Sequence, residues 1–224
     1  MSGTSAARTA PIKTEAQISA GSVVLNGTLH LPEKAAGIVL FAHGSGSSRH
    51  SPRNQYVAKV IREAGVATLL FDLLTREEEA IDNYTREYRF DIDLLSRRLV
   101  AATNWLATQN ETRNLRPGYF GASTGGAAAL IAAAQLGEKI GAVVSRGGRP
   151  DLAGPALTHV KAPTLLLVGG LDGPVIRMNE EAYAQLQCLK ELKIVVGATH
   201  LFEEPGKLEE VARLAAEWFS THLR

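Results

Sequence analysis

The stretch Tyr119-Phe120-Gly121-Ala122-Ser123-Thr124-Gly125-Gly126 decides how the rest of the chain is read. An apolar approach runs into a serine with a glycine two places to either side, and a small apolar run, Ala127 to Leu136, follows. Gly-x-Ser-x-Gly between a strand and a helix is the context of a nucleophile elbow. A hydroxyl carried on such a turn sits in a strained backbone conformation. Side chains at 121 and 125 would collide with the crossing strand and helix. The following helix begins by directing free N–H groups at the place where negative charge develops.

Working outward, short apolar strands alternate with amphipathic segments. Gly37 to Ala42 is a strand of the kind buried on both faces, and it leads into His43-Gly44-Ser45-Gly46-Ser47-Ser48. Ser51-Pro52 starts a helix that Gly65 ends. Val66 to Leu74 reads as a strand, and Ile92, Leu95, Leu99, Ala102 and Leu106 mark a helix face. Pro117 to Ala122, Ile140 to Ser145, Pro163 to Val168 and Leu192 to Val196 read as further strands. A short helical piece is expected near Asp151 to Leu157, a helix around Asn179 to Cys188, and a last helix with a stripe of Val211, Leu214, Ala215, Trp218 and Phe219. Alternation of this kind predicts one α/β domain over residues 18–224, with a doubly wound, mostly parallel sheet flanked by helices. Ile18 to Leu31 is expected to open the sheet as antiparallel strands around a turn or bulge at Asn26-Gly27. Residues 1–17 are expected to form a loose tail.

Composition narrows the function. The chain has 224 residues, 45% hydrophobic and 21% charged, with 24 basic against 23 acidic side chains for a net charge of +1. That balance gives no footprint for nucleic acid or a membrane surface. A lone Cys188 leaves no intrachain disulfide and no cysteine-based zinc site, and fits a reducing, cytoplasmic compartment. No apolar run approaches the ~20 residues of a membrane span. The polar N-terminal stretch lacks the apolar core of a signal peptide.

A serine needs a base within reach and an acid behind the base. In open parallel sheets such groups gather at the carboxyl ends of strands. Leu165 to Val168 leads through two glycines to Asp172, and Ile194 to Val196 leads to His200. The order Ser123, Asp172, His200 is that expected of an α/β-hydrolase. Asp151 also follows a strand and competes with Asp172 for the acid's role. His30 lies in the early antiparallel region, and His222 sits near the end of the last helix. His50 and His159 lie in or beside loops with no strand leading into them, and His43 is expected to shape its loop. The oxyanion hole needs two donors: the N–H of Thr124, and one from the His43–Gly46 loop, with Ser45 first and Gly46 next. Arg146 and Arg149, just past a strand's end, are candidates for binding a substrate carboxylate, against the alternative of a structural ion pair or a solvated loop. Thr75 to Phe90, with Glu77, Glu78 and Glu79, reads as a solvated helix start, or else as a lid over the site.

Taken together, His43-Gly44-Ser45-Gly46, Gly121 to Gly125, Asp172 and His200 resemble the α/β-hydrolase superfamily. Ser145 to Leu152 and His200 to Gly206 are similar to the dienelactone hydrolase-like branch. The resemblance runs from about Ile18 onward, with one departure: dienelactone hydrolase proper has cysteine at the elbow, where Ser123 stands here. It implies a serine hydrolase that cleaves small, soluble carboxylic esters through an acyl-enzyme, with no metal and no organic cofactor. Thioester or lactone hydrolysis, and a ligand-binding relative with little turnover, are the competing readings. The oligomeric state is left open.

Overall fold

The computed structural model describes residues 10–224. Its core is an eight-stranded sheet of β1 (Ile12–Ala20), β2 (Val23–Leu31), β3 (Gly37–Ala42), β4 (Ala67–Phe71), β5 (Arg116–Ala122), β6 (Ala142–Arg146), β7 (Thr164–Gly169) and β8 (Lys190–Val195). The strand order is β1-β2-β4-β3-β5-β6-β7-β8. The strands from β4 through β8 in that order pair in parallel, while β1–β2 and β2–β4 are antiparallel.

Two details of the opening differ from the sequence expectation. β1 begins at Ile12, so residues 12–17 of the expected tail are paired with β2; residues 1–9 lie outside the described residues. The hairpin turns at Gly21 (φ +68), and Asn26-Gly27 lies within β2. Gly27 serves close packing instead: a Cβ there would stand 3.0 Å from Cβ of Phe71 on β4.

Helices α3 (Ile92–Thr108), α4 (Thr124–Leu136) and α5 (Gly173–Gln185) cover one face, and α1 (Pro52–Glu63) and α6 (Lys207–His222) the other. The central strands, buried on both sides, supply alternate residues to the two layers. Leu40, Tyr119 and Val143 face α3 and α4, whereas Phe41, Phe120 and Val144 face α1 and α6. The buried hydroxyl of Tyr119 is matched by Thr103 Oγ1 at 2.6 Å. Ser51 caps α1 by accepting from Asn54 N–H, with Pro52 at the first helical position. The excursion after β4 forms α2 (Arg76–Thr85), started by a capping box in which Thr75 and Glu78 satisfy each other's backbone N–H. The segment after β6 is a kinked 3-10 piece, Pro150–His159, bent at Gly154.

Candidate active site

The elbow is enforced sterically. Ser123 has φ 51 and ψ −123, a region that L residues enter only when the surroundings hold them there. A Cβ at Gly121 would come within 2.4 Å of the Gly125 carbonyl oxygen, and one at Gly125 within 2.1 Å of the Ala42 carbonyl oxygen. β5, α4 and the end of β3 can therefore meet only through glycines. The Ser123 carbonyl accepts from Gly126 N–H at 2.9 Å and Arg149 N–H at 3.1 Å, and its own N–H donates to the Arg146 carbonyl at 3.3 Å. These bonds hold Ser123, half-buried, at the carboxyl edge of the sheet.

Asp172 ends the β7 loop and begins α5, and His200 follows β8. The two loops are stitched together, with Gly170 N–H on the Val195 carbonyl and Leu171 N–H on the Ala198 carbonyl, both at 2.9 Å. A Cβ at Gly169 would stand 2.5 Å from the carbonyls of Ala198 and Thr199, so this approach again requires glycine. Across it His200 Nδ1 and Asp172 Oδ2 lie 2.6 Å apart. An ionised carboxylate only accepts, so Nδ1 carries the proton and Nε2 is left with a free lone pair. The His200 ring lies beside the end of β6: a Cβ at Gly147, the residue after Arg146, would be 3.5 Å from its Cε1. Ser123 Oγ makes no hydrogen bond among the described residues.

Asp151, the rival acid, is placed elsewhere. Its carboxylate takes a two-pronged bond from Arg149, Nε at 2.9 Å and Nη2 at 2.7 Å, which raises the arginine's pKa. Arg149 is thus in the structural ion pair that was its alternative reading, and what it offers Ser123 is its backbone N–H. Arg146 is buried at the end of β6, against Phe202.

The oxyanion loop also differs in detail. Thr124 stands at the first turn of α4, its N–H directed out of the helix start. The Ser45 N–H, expected as the second donor, is instead given to Thr124 Oγ1 at 3.1 Å. That bond pins the loop to α4. His43 is buried and neutral. Its Nδ1 donates to the Gly44 carbonyl and its Nε2 accepts from Leu73 N–H, each at 3.0 Å, and burial lowers its pKa. It shapes the loop.

Residues 75–90 form a capped, largely exposed helix start whose inner side meets the His43–Ser48 loop. Glu79, Asp82, Asn83 and Arg89 join Gly44 to Ser48 in lining a polar cleft beside the oxyanion loop. Arg89 locks the segment with a salt bridge to the buried Asp82. Two residues that the chemistry-first reading passed over, Phe202 and Glu204, fix the histidine loop. Phe202 is fully buried with φ 57, and Glu204 Oε2 accepts the Thr199 N–H at 3.1 Å. Their signal lay in the His200 to Gly206 motif. Among the described residues no cluster of His, Cys, Asp and Glu could hold a metal ion, and no helix is long and apolar enough to cross a membrane.

Comparison with known proteins agrees with this fold. The family model described as "Dienelactone hydrolase family" matches residues 25–223. A crystal structure of a dienelactone hydrolase from Anabaena variabilis is 62% identical, with a TM-score of 0.95 over 96% of this chain and 100% of that one. Est1E from Butyrivibrio proteoclasticus, 17% identical, superposes with a TM-score of 0.77 over 93% of this chain and 98% of that one, a likeness of fold alone. A Mycobacterium tuberculosis protein named "Putative phosphoribosyl transferase" is 59% identical over 209 residues, 93% of this chain and 46% of that protein. The chain thus spans about half the length of the curated relatives it matches.

Proposed function

We propose that this chain, which belongs to the dienelactone hydrolase family, is a serine hydrolase that cleaves small carboxylic esters through an acyl-enzyme. The observation that carries the reading is Ser123 at φ 51 on a glycine-flanked turn into α4. In this reading Ser123 Oγ attacks the ester carbonyl while His200 Nε2 takes its proton. Asp172 holds the imidazole in the tautomer that makes this possible and stabilises the imidazolium. The oxyanion is received by the Thr124 N–H and by an amide of the Ser45-Gly46 turn, worth on the order of 10²–10³ in turnover per donor. Collapse of the tetrahedral intermediate expels the alcohol, protonated by His200. Water, deprotonated by the same histidine, then releases the acid and restores Ser123.

The chain supports small substrates because only a short kinked 3-10 piece, Pro150–His159, follows β6, leaving no cap to build a deep acyl pocket. Thioesters and lactones pass through the same tetrahedral intermediate and differ from esters only in the leaving group. The test is a comparison of wild type with Ser123→Ala against p-nitrophenyl acetate, a thioester and a lactone. Loss of turnover by several orders of magnitude with an unchanged melting curve supports the reading, and an active Ser123→Ala variant overturns it.

A further inference from the structure

Among the described residues, Arg146 is a buried cation beside the site with no ion-pair partner. Side chains alternate along β6, so Arg146 falls on the face of Val144, toward α1 and α6. Its guanidinium lies against the Phe202 ring, 6.0 Å from Cζ to the ring centroid. The residue is 8% exposed, and its Nε and Nη1 are buried with no hydrogen-bond partner. Burial, and then the like charge of Arg53, push its pKa down to about 10, so it stays protonated at neutral pH. Arg53 contributes a third buried and unpartnered nitrogen, its Nε.

The carboxylates nearby are already engaged. Glu203 pairs with Arg53 Nη1 at 2.7 Å, Glu204 accepts the Thr199 N–H, and Asp172 holds His200. Among the described residues none forms an ion pair with Arg146. A buried guanidinium with two idle nitrogens is costly unless an acceptor joins it. The guanidinium fork suits the oxygens of an oxyanion, or a halide seated between two N–H groups.

We propose that Arg146 and Arg53 form a binding subsite for one small anion, between the first turn of α1 and the loop that carries His200. Its occupant is a carboxylate or an inorganic anion. Both arginines grip that loop, Arg53 through Glu203 and Arg146 through Phe202, so the occupant also braces the segment that positions the imidazole. The anion is either free in solution or carried by the substrate. The second case rests on the ester-hydrolase reading, whereas the first does not.

The experiment follows the melting temperature of wild type and Arg146→Met while sodium chloride, and separately sodium phosphate, is titrated in. The variant corrects for general salt effects. A free anion predicts a saturable rise in wild type alone, about 3–6 °C at ten times its dissociation constant. Melting needs no turnover, so this arm stands even if every ester proves inert. For a substrate-borne anion, specificity constants are compared between p-nitrophenyl acetate and p-nitrophenyl hemisuccinate. The wild type then favours the hemisuccinate, and Arg146→Met reduces that preference about tenfold. Parallel melting curves together with an unchanged preference, as a site filled by water alone would give, overturn the proposal. Should Arg146→Met fail to fold, Arg146→Lys keeps the charge but loses the fork. It must then show severalfold weaker apparent affinity in whichever arm the wild type responds. Equal affinity, or no response of the wild type in either arm, overturns the proposal.

Discussion

Replacing Asp172 by asparagine removes one charge and keeps the shape, and the proposed mechanism fixes what that should cost. In the transition state the carboxylate faces an imidazolium, with Nδ1 and Oδ2 2.6 Å apart. The centres of charge are then about 4 Å apart, which at an effective dielectric of about 20 is worth about 4 kcal/mol. Loss of that interaction slows acylation by about a thousandfold. An amide can also turn its NH₂ toward Nδ1 and favour the tautomer with the proton on Nε2, which makes the base useless and adds to the loss. The control is Asp151→Asn. Its partner Arg149 is partly exposed, with side-chain accessibilities of 36% and 29% for the pair, so the ion pair is worth about 0–1 kcal/mol. The Arg149 N–H that holds the Ser123 carbonyl belongs to the backbone and survives the change, so activity should stay within about threefold. The assay is kcat for p-nitrophenyl acetate, alongside thermal melting of both variants. If Asp151→Asn loses more activity than Asp172→Asn at equal stability, the acid has been misplaced and the mechanism fails.

Other outcomes follow from the same structure. Gly125→Ala forces a Cβ to within 2.1 Å of the Ala42 carbonyl and should destabilise the fold by about 3 kcal/mol or more in urea. Gly173→Ala, with nothing within 4 Å, should be close to neutral, and equal effects would contradict the packing argument. The pKa of His30 is depressed to about 4, chiefly by burial, and that of His43 is lowered too. The unfolded chain therefore binds more protons as pH falls below about 6.5, so stability drops from pH 6.5 toward 4. Melting against pH should show that slope and find it shallower in His30→Gln; an unchanged slope would refute the assignment. Across p-nitrophenyl esters of two to sixteen carbons, the specificity constant should peak among the short acyl chains. With only the short Pro150–His159 piece after β6 and no cap, the site cannot bury many added methylenes at ~0.8 kcal/mol each, and a maximum at twelve carbons or more would contradict it.

The elbow was legible because its requirements are local: strand, glycine, serine, glycine and helix are consecutive, and steric exclusion acts between neighbours. The alternation of apolar strands and amphipathic helices disclosed the sheet for the same reason. Features that depend on a distant partner were less legible. Asp151 and Asp172 both follow strand ends, and only space shows that Arg149 occupies the first while His200 meets the second. The Ser45 amide finds its acceptor 79 residues away, on Thr124, which no local pattern announces. Asn26-Gly27 carries a turn signal, yet the glycine is needed because Phe71 packs on it across the sheet. Thr75 to Phe90 looked polar enough to be solvent-facing. Most of it is, Glu77 and Glu79 included, while Asp82 turns inward to take Arg89 seven residues on.

The central claim is that Ser123 is the nucleophile, and covalent labelling tests it most directly. A fluorophosphonate reacts only with a serine activated by a base and supported by oxyanion donors. Wild-type protein treated with such a probe and mapped by peptide mass spectrometry should carry one adduct, on Ser123. The adduct should be absent from Ser123→Ala and form far more slowly in Asp172→Asn. An adduct on any other residue, or a Ser123 that stays unlabelled while esters are still hydrolysed, would contradict the account.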